Sequence, residues 1–187
     1  QTSMSSPKRY LWDLQARVQE WRYAPEPGDP FSPESPVNSG DLGGFIEKQE
    51  NLSHNGNCWV SDNALVCGDA LVYGDAWVSG DAQVSGNARV SGNARVYGNA
   101  QVYGNAWVYG GAQIYDNAEI YGNAHVYGRA KVFGGALVLD NAKIYGSAWV
   151  YGEIAILGET TVHQNRPWAF DRLRILEEYE LGPRVAP

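Results

Sequence analysis

From Val60 to Val162 an aliphatic residue returns every six positions, and all eighteen of these lead positions are Val or Ile. The fifth place of each hexad is Ala from Ala64 through Ala148, and the third is Gly in fourteen of the eighteen, as in Val84-Ser85-Gly86-Asn87-Ala88-Arg89. A period of six fits no helix, because 3.6 residues per turn would carry the valines steadily around the axis. It fits a short strand centred on each lead residue, a turn at Gly-Asn or Gly-Asp where positive φ is cheap, and a small Ala tucked inside the bend. Three such sides close a triangular coil. Eighteen hexads then give six coils, and at the ~4.8 Å strand spacing the prism is roughly 29 Å long. The pattern predicts an all-β parallel solenoid.

These hexads resemble the hexapeptide-repeat, left-handed parallel β-helix proteins, in which an aliphatic residue is followed four places later by a small one. The resemblance covers residues 60 to 162 and implies the left hand, where the general rule for parallel crossovers would favour the right. The preceding stretch, Gly43-Gly44-Phe45-Ile46-Glu47 through Asn51-Leu52-Ser53 to Gly56-Asn57-Cys58-Trp59-Val60, is similar to the lead-in of uncharacterised bacterial and phage members of that class. Some of those carry acetyltransferase labels by fold analogy.

The flanks read differently. Gln1–Ser3 are expected to be residues added ahead of a native start at Met4. Ser6-Pro7 forms an N-cap and first-turn signal, and Leu11, Leu14, Val18 and Trp21 share a helical face, so 4–23 is assigned to an N-terminal helix. Residues 24–41 hold five prolines and four acids and are read as an extended linker, with 42–59 as the cap or lead-in to a β-helix over 60–165. Trp168, Phe170, Leu173, Leu176 and Tyr179 predict a capping helix to about 181, within a C-terminal segment 166–187.

The formal charge is −7, which argues against nucleic-acid binding by bulk charge. It divides as −3 before residue 60, −4 across 60–162 (9 acids, 5 bases) and 0 beyond. Two cysteines, Cys58 and Cys67, make neither a disulfide framework nor a metal site. No run reaches the roughly 18 apolar residues of a membrane span, so a cytoplasmic location without membrane contact is expected.

Residues flanking each lead position point outward, and every third hexad stacks on the same side, which sorts the repeat into three faces. The first pairs Trp59, Trp77, Arg95, Gln113, Lys131 and Trp149 with Ser61, Ser79, Tyr97, Tyr115, Phe133 and Tyr151. The second contains Tyr103 and Tyr121, and also Leu137, Leu139 and Leu157, which are the expected dock for the C-terminal helix. On the third, Trp107 and His125 lie beside Tyr109, Tyr127 and Tyr145. Tyr97, Tyr115, Phe133 and Tyr151 should form one aromatic ladder, with Trp149 beside its end, and Tyr109, Tyr127 and Tyr145 another. Such ladders stabilise stacked strands, and a continuous aromatic stripe also suits an interface.

The expected function is therefore a non-catalytic interaction or assembly scaffold without cofactor. It would bind a protein partner or itself through Trp77, Tyr97, Tyr115, Phe133, Trp149 and Tyr151 on the first face and Trp107, Tyr109, Tyr127 and Tyr145 on the third. Inhibition of a target in a phage or bacterial setting falls within this reading. The family resemblance implies a trimer and, as an alternative function, acyl transfer from acyl-CoA with His125 as candidate general base. Against it, the hexads run without the protruding loop that builds an acceptor pocket. Zinc catalysis lacks converging histidines, and Asp69, Asp75 and Asp81 fall on successive corners as turn residues rather than as a site. DNA mimicry is the remaining alternative; carboxylates spread around three corners make no stripe of phosphate-like density.

Overall fold

The computed structural model describes residues 43–163 and the short strand Ile175–Leu176. By its internal contacts the chain divides into Gln1–Gly43 and Gly44–Pro187, and the fold lies in the second unit. It is a parallel β-solenoid of about six turns with three sheets. The first face is a six-stranded sheet from Trp59–Val60 to Trp149–Tyr151. The second has eight strands, from Phe45–Ile46 to Ile175–Leu176, and the third has seven, from Leu52–Gly56 to Thr161–Val162.

Each strand is only two to four residues long in the regular coils, so its stability derives from the coils above and below. Three backbone hydrogen bonds recur on most sides. Arg89 N–H donates to the Ala106 carbonyl at 2.9 Å, Ser91 N–H to Val108 at 2.9 Å and Asn93 N–H to Gly110 at 2.7 Å, each reaching one coil onward. Inside, the lead Val and Ile side chains and the fifth-place alanines from Ala64 to Ala148 are buried in one continuous core. Burying each Val or Ile contributes roughly 1.5–3 kcal/mol. The alanines fill the corners where a larger group would force the turn open.

The third place needs a left-handed backbone. At Gly86, φ is 67°, and a Cβ there would stand 3.0 Å from the Gly104 nitrogen of the next coil. Asp62, Asp116 and Asp140 occupy the same place at φ 56°, 58° and 58°. Their carboxylates accept the N–H of Gly80, Gly134 and Gly158, at 3.0, 3.2 and 3.2 Å. An Asp tolerates this backbone better than most residues, and here it satisfies an N–H that a glycine below would leave to water.

The solenoid begins earlier than the six-residue pattern. Phe45 pairs with Leu65, Ile46 with Val66 and Leu52 with Val72, each 20 residues on, whereas Gly56 pairs with Gly74, 18 residues on. A bulge between Leu52 and Gly56 absorbs the two extra residues, so the lead-in is itself a coil whose frame is shifted. Its 3₁₀ turn, Gln49–Asn51, folds the Asn51 N–H back to the Lys48 carbonyl at 3.0 Å. The fully buried Asn51 side chain ties this turn to the next coil: Nδ2 donates to the Gly68 carbonyl at 3.0 Å and to the Ala70 carbonyl at 2.8 Å, while Oδ1 accepts the Lys48 N–H at 2.9 Å.

At the other end, Ile175–Leu176 pairs parallel with Ala155–Ile156 as the last strand of the second sheet. A helix was expected over these two residues; the open edge of Ala155–Ile156 offers them backbone partners that helical periodicity does not reveal. The rest of the C-terminal segment, the N-terminal helix over 4–23 and the linker 24–41 lie outside the described residues. Among the described residues no helix is long and apolar enough to cross a membrane.

Candidate functional site: the aromatic faces

The strand registers place the outward side chains as the hexads predict. Trp59, Trp77, Arg95, Gln113, Lys131 and Trp149 form one column of the first face. On the third, Leu71, Arg89, Trp107, His125, Lys143 and Thr161 form the corresponding column.

Beside these columns stand the ladders. On the first face Tyr97 stacks on Tyr115 at 4.9 Å and 3°, Tyr115 on Phe133 at 4.7 Å and 4°, and Phe133 on Tyr151 at 5.1 Å and 8°. On the third Tyr109 stacks on Tyr127 at 4.8 Å and Tyr127 on Tyr145 at 5.0 Å. That ladder runs on to His163, 5.4 Å from Tyr145. A further stacked pair, Tyr103 and Tyr121 at 4.8 Å, stands on the second face; both were placed on that face from the sequence without being paired. Ring spacing matches strand spacing because identical backbone positions one coil apart hold identical rotamers.

Stacking determines what these rows present to a partner. Ring faces are turned to one another along the ladder, so the rows present ring edges to a partner. Trp107 is enclosed in the same way: the Arg89 guanidinium lies 5.0 Å over its ring, and His125 stacks 5.4 Å from it. Tyr109 meets His125 edge-on at 6.4 Å. Lys131 lies 5.3 Å over Trp149. Trp107 and Trp149 remain 38% and 41% exposed, Trp77 is half-buried, and the ladder rings of both faces are half-buried.

Burial pushes the His125 ring below its ordinary value, and the Lys143 charge beside it adds to the effect. Burial pushes the Tyr103 hydroxyl up to about 12, helped by the Glu119 carboxylate that accepts its hydrogen bond at 3.2 Å.

The turn column divides as expected over three edges. Asp69 pairs with Lys48 at 2.5 Å, Asp75 accepts from Asn57 Nδ2 at 2.7 Å, and Asp81 accepts from Asn63 Nδ2 at 3.0 Å. Among the described residues no group of three His, Cys, Asp or Glu could hold a metal ion. The turns do more than bend the chain. Asn87, Asn105, Asn123 and Asn141 pass a side-chain hydrogen bond from coil to coil, ending on Glu159, at 2.8–3.2 Å.

Charge is not evenly spread around the three corners, as the linear spacing had suggested. Of the nine acids in residues 60–162, Asp62, Asp81, Asp116 and Glu153 line the edge between the first and second faces. Asp69, Asp140 and Glu159 line the edge between the second and third, and Glu119 lies on the second face between them. Only Asp75 stands on the remaining edge. All five cations occupy the opposite side: Arg95 and Lys131 on the first face, Arg89 and Lys143 on the third, and Arg129 on the edge joining them.

The family model described as YdcK beta solenoid repeat matches residues 64–80, 82–98, 94–112 and 112–128. The chain is a β-solenoid repeat protein. The matched stretches of this β-solenoid include Trp77, Tyr97, Trp107, Tyr109, Tyr115, His125 and Tyr127, and stop short of Phe133, Tyr145, Trp149 and Tyr151. The description names a repeat and no activity. No curated protein matches the chain.

Proposed function

We propose that this β-solenoid is a non-catalytic interaction or assembly scaffold of the hexapeptide class, which binds a protein partner or further copies of itself through the aromatic rows of its first and third faces. The observation that carries this reading is the continuity of those rows. Four stacked rings on one face and three on another, flanked by exposed Trp149 and Trp107, make two continuous half-buried aromatic rows of the residue types enriched where proteins meet. Coils bonded to one another at every turn hold that surface rigid, so little conformational entropy is lost when a partner binds.

Acyl transfer from acyl-CoA is the second reading, with His125 as base. Its depressed basicity suits a neutral proton acceptor, but both Trp107 and Tyr109 pack on the ring and no loop interrupts the coils around it. The decisive comparison pairs the Phe133→Glu, Tyr151→Glu double variant with His125→Ala. The scaffold reading expects the double variant to lower the mass measured by light scattering or to abolish capture of the partner. It expects His125→Ala to change neither, and no acetyl-CoA binding at micromolar concentration. Acetyl-CoA binding with a turnover lost in His125→Ala would overturn it.

A further inference from the structure

The charge polarity of the prism carries an inference beyond the aromatic rows. The chain holds more acids than bases, yet from Arg89 to Lys143 the outward positions of the third face and its edge with the first hold no carboxylate. Arg129 on that edge and Lys143 on the third face lie on neighbouring coils, Lys131 follows Arg129 onto the first face, and Arg89 stands three coils before Lys143 in the same column. None of these four forms an ion pair among the described residues; the pair Lys48–Asp69 lies on the edge between the second and third faces. A protein with cations to spare would ordinarily place them beside its own acids. Here eight of the nine acids of residues 60–162 are gathered on the other side, so among the described residues no carboxylate is paired with the cationic strip.

We infer that this strip, centred on Arg129 and flanked by the Tyr109–Tyr127–Tyr145 ladder, docks a carboxylate-rich segment of a partner protein. The inference rests on the scaffold reading and names the partner's chemistry.

Two features select a carboxylate-bearing segment over a nucleic acid. Single-stranded nucleic acids bind by stacking bases on free aromatic faces within a basic groove. The Tyr109, Tyr127 and Tyr145 faces are used by one another, and Trp107 is enclosed by Arg89 and His125. Edges and phenolic hydroxyls remain, and these donate to carboxylates and peptide carbonyls. The strip is also narrow. Asp140 and Glu159 line the far rim of the third face, so a wide polyanion reaching across the face would meet repulsion that a single extended acidic segment avoids. Arg89 and Arg129 can each take a carboxylate in a two-pronged pair, and the acids behind the strip disfavour reversed docking.

The test uses the full chain and two probes in fluorescence anisotropy at low salt: a short labelled peptide of alternating Glu and Ser, and a labelled oligothymidylate of equal charge. The inference expects the peptide to bind, to be released by added salt, and to bind at least about tenfold more weakly to the Arg129→Glu, Lys143→Glu double variant. Reversal on the opposite edge, Asp81→Lys, should leave its affinity within about twofold. Circular dichroism checks that both variants keep the solenoid. Absent peptide binding, or binding indifferent to the Arg129 and Lys143 reversal, overturns the inference. Tighter binding of oligothymidylate overturns it in favour of a nucleic-acid surface. A mass that falls on reversal of Arg129 and Lys143, without peptide binding, overturns it in favour of a second copy. None of these outcomes touches the Phe133 and Tyr151 comparison, so the scaffold reading stands or falls separately.

Discussion

Trp107 and His125, one coil apart on the third face, stack with ring centroids 5.4 Å apart and planes inclined by 25°. Arg89 covers the other face of the indole, and Lys143 follows His125 in the same column. Cation, indole, imidazole and cation thus follow one another along the prism.

His125 should therefore titrate below the ordinary histidine value, by burial first and the Lys143 charge second. The sign follows from the neutral form being favoured in the fold. Its contribution to stability is complete above about 6.5, the unfolded value, and is lost as pH falls through the lower native one. In an NMR titration Lys143→Gln should raise the His125 midpoint without restoring the ordinary value, because burial persists. A midpoint at or above the ordinary value in the unmodified chain contradicts this.

Asp116 combines a left-handed backbone at φ 58° with a side chain that accepts the Gly134 N–H. Asp116→Gly gives up the hydrogen bond but relieves the backbone, and should cost less than about 1 kcal/mol. Asp116→Val loses the bond and places a branched side chain in the same backbone, for about 2–3 kcal/mol. Denaturant unfolding should rank them in that order; equal midpoints would remove the left-handed turn from the account.

Asn51 should be the residue on which the first coil depends. Asn51→Ala leaves the Gly68 and Ala70 carbonyls and the Lys48 N–H without the partners they have now, at about 1–3 kcal/mol per buried group left unsatisfied. Because each coil contacts only its neighbours, the loss should be local. Hydrogen exchange should accelerate in the amides of residues 44–72 and leave those of residues 100–150 as they were. Uniform acceleration along the prism contradicts the assignment.

Tyr103 should remain protonated until about pH 12, held up by burial and then by Glu119. A proton bound more tightly in the fold stabilises it up to about pH 10, the unfolded value, and the contribution fades as pH rises through the native one. Glu119→Gln should lower the Tyr103 midpoint while burial keeps it above 10, as read by NMR of carbon-labelled tyrosine. An unchanged midpoint would assign the whole shift to burial.

The six-residue period made the coil, the three faces and the first-face and third-face ladders legible, because outward positions one coil apart are eighteen residues apart in sequence. Where that frame breaks, the reading broke too. The bulge between Leu52 and Gly56 shifts the register by two, and the coil before it went unseen. Asn51 is polar at a buried place, so no hydrophobic pattern could mark it; its role appears only once the Gly68 and Ala70 carbonyls of the next coil are placed against it. Leu173, Leu176 and Tyr179 share a helical face, yet Ile175–Leu176 joins the edge of Ala155–Ile156, a tertiary pairing outside local periodicity. The charge polarity lay within reach. Sorting acids and bases by position within eighteen residues separates Arg129 from Asp116 and Asp140, which their nearness in the chain conceals.

The measurement closest to the central claim is the sedimentation of the fluorescently labelled full chain, in buffer and in a lysate of its source cells. The account predicts a species heavier than the monomer in at least one medium, and monomer alone in both for the Phe133→Glu, Tyr151→Glu variant. A chain that sediments as a monomer in both media, or a variant that keeps the heavier species, would contradict the claim that the aromatic faces are where this solenoid meets its partners.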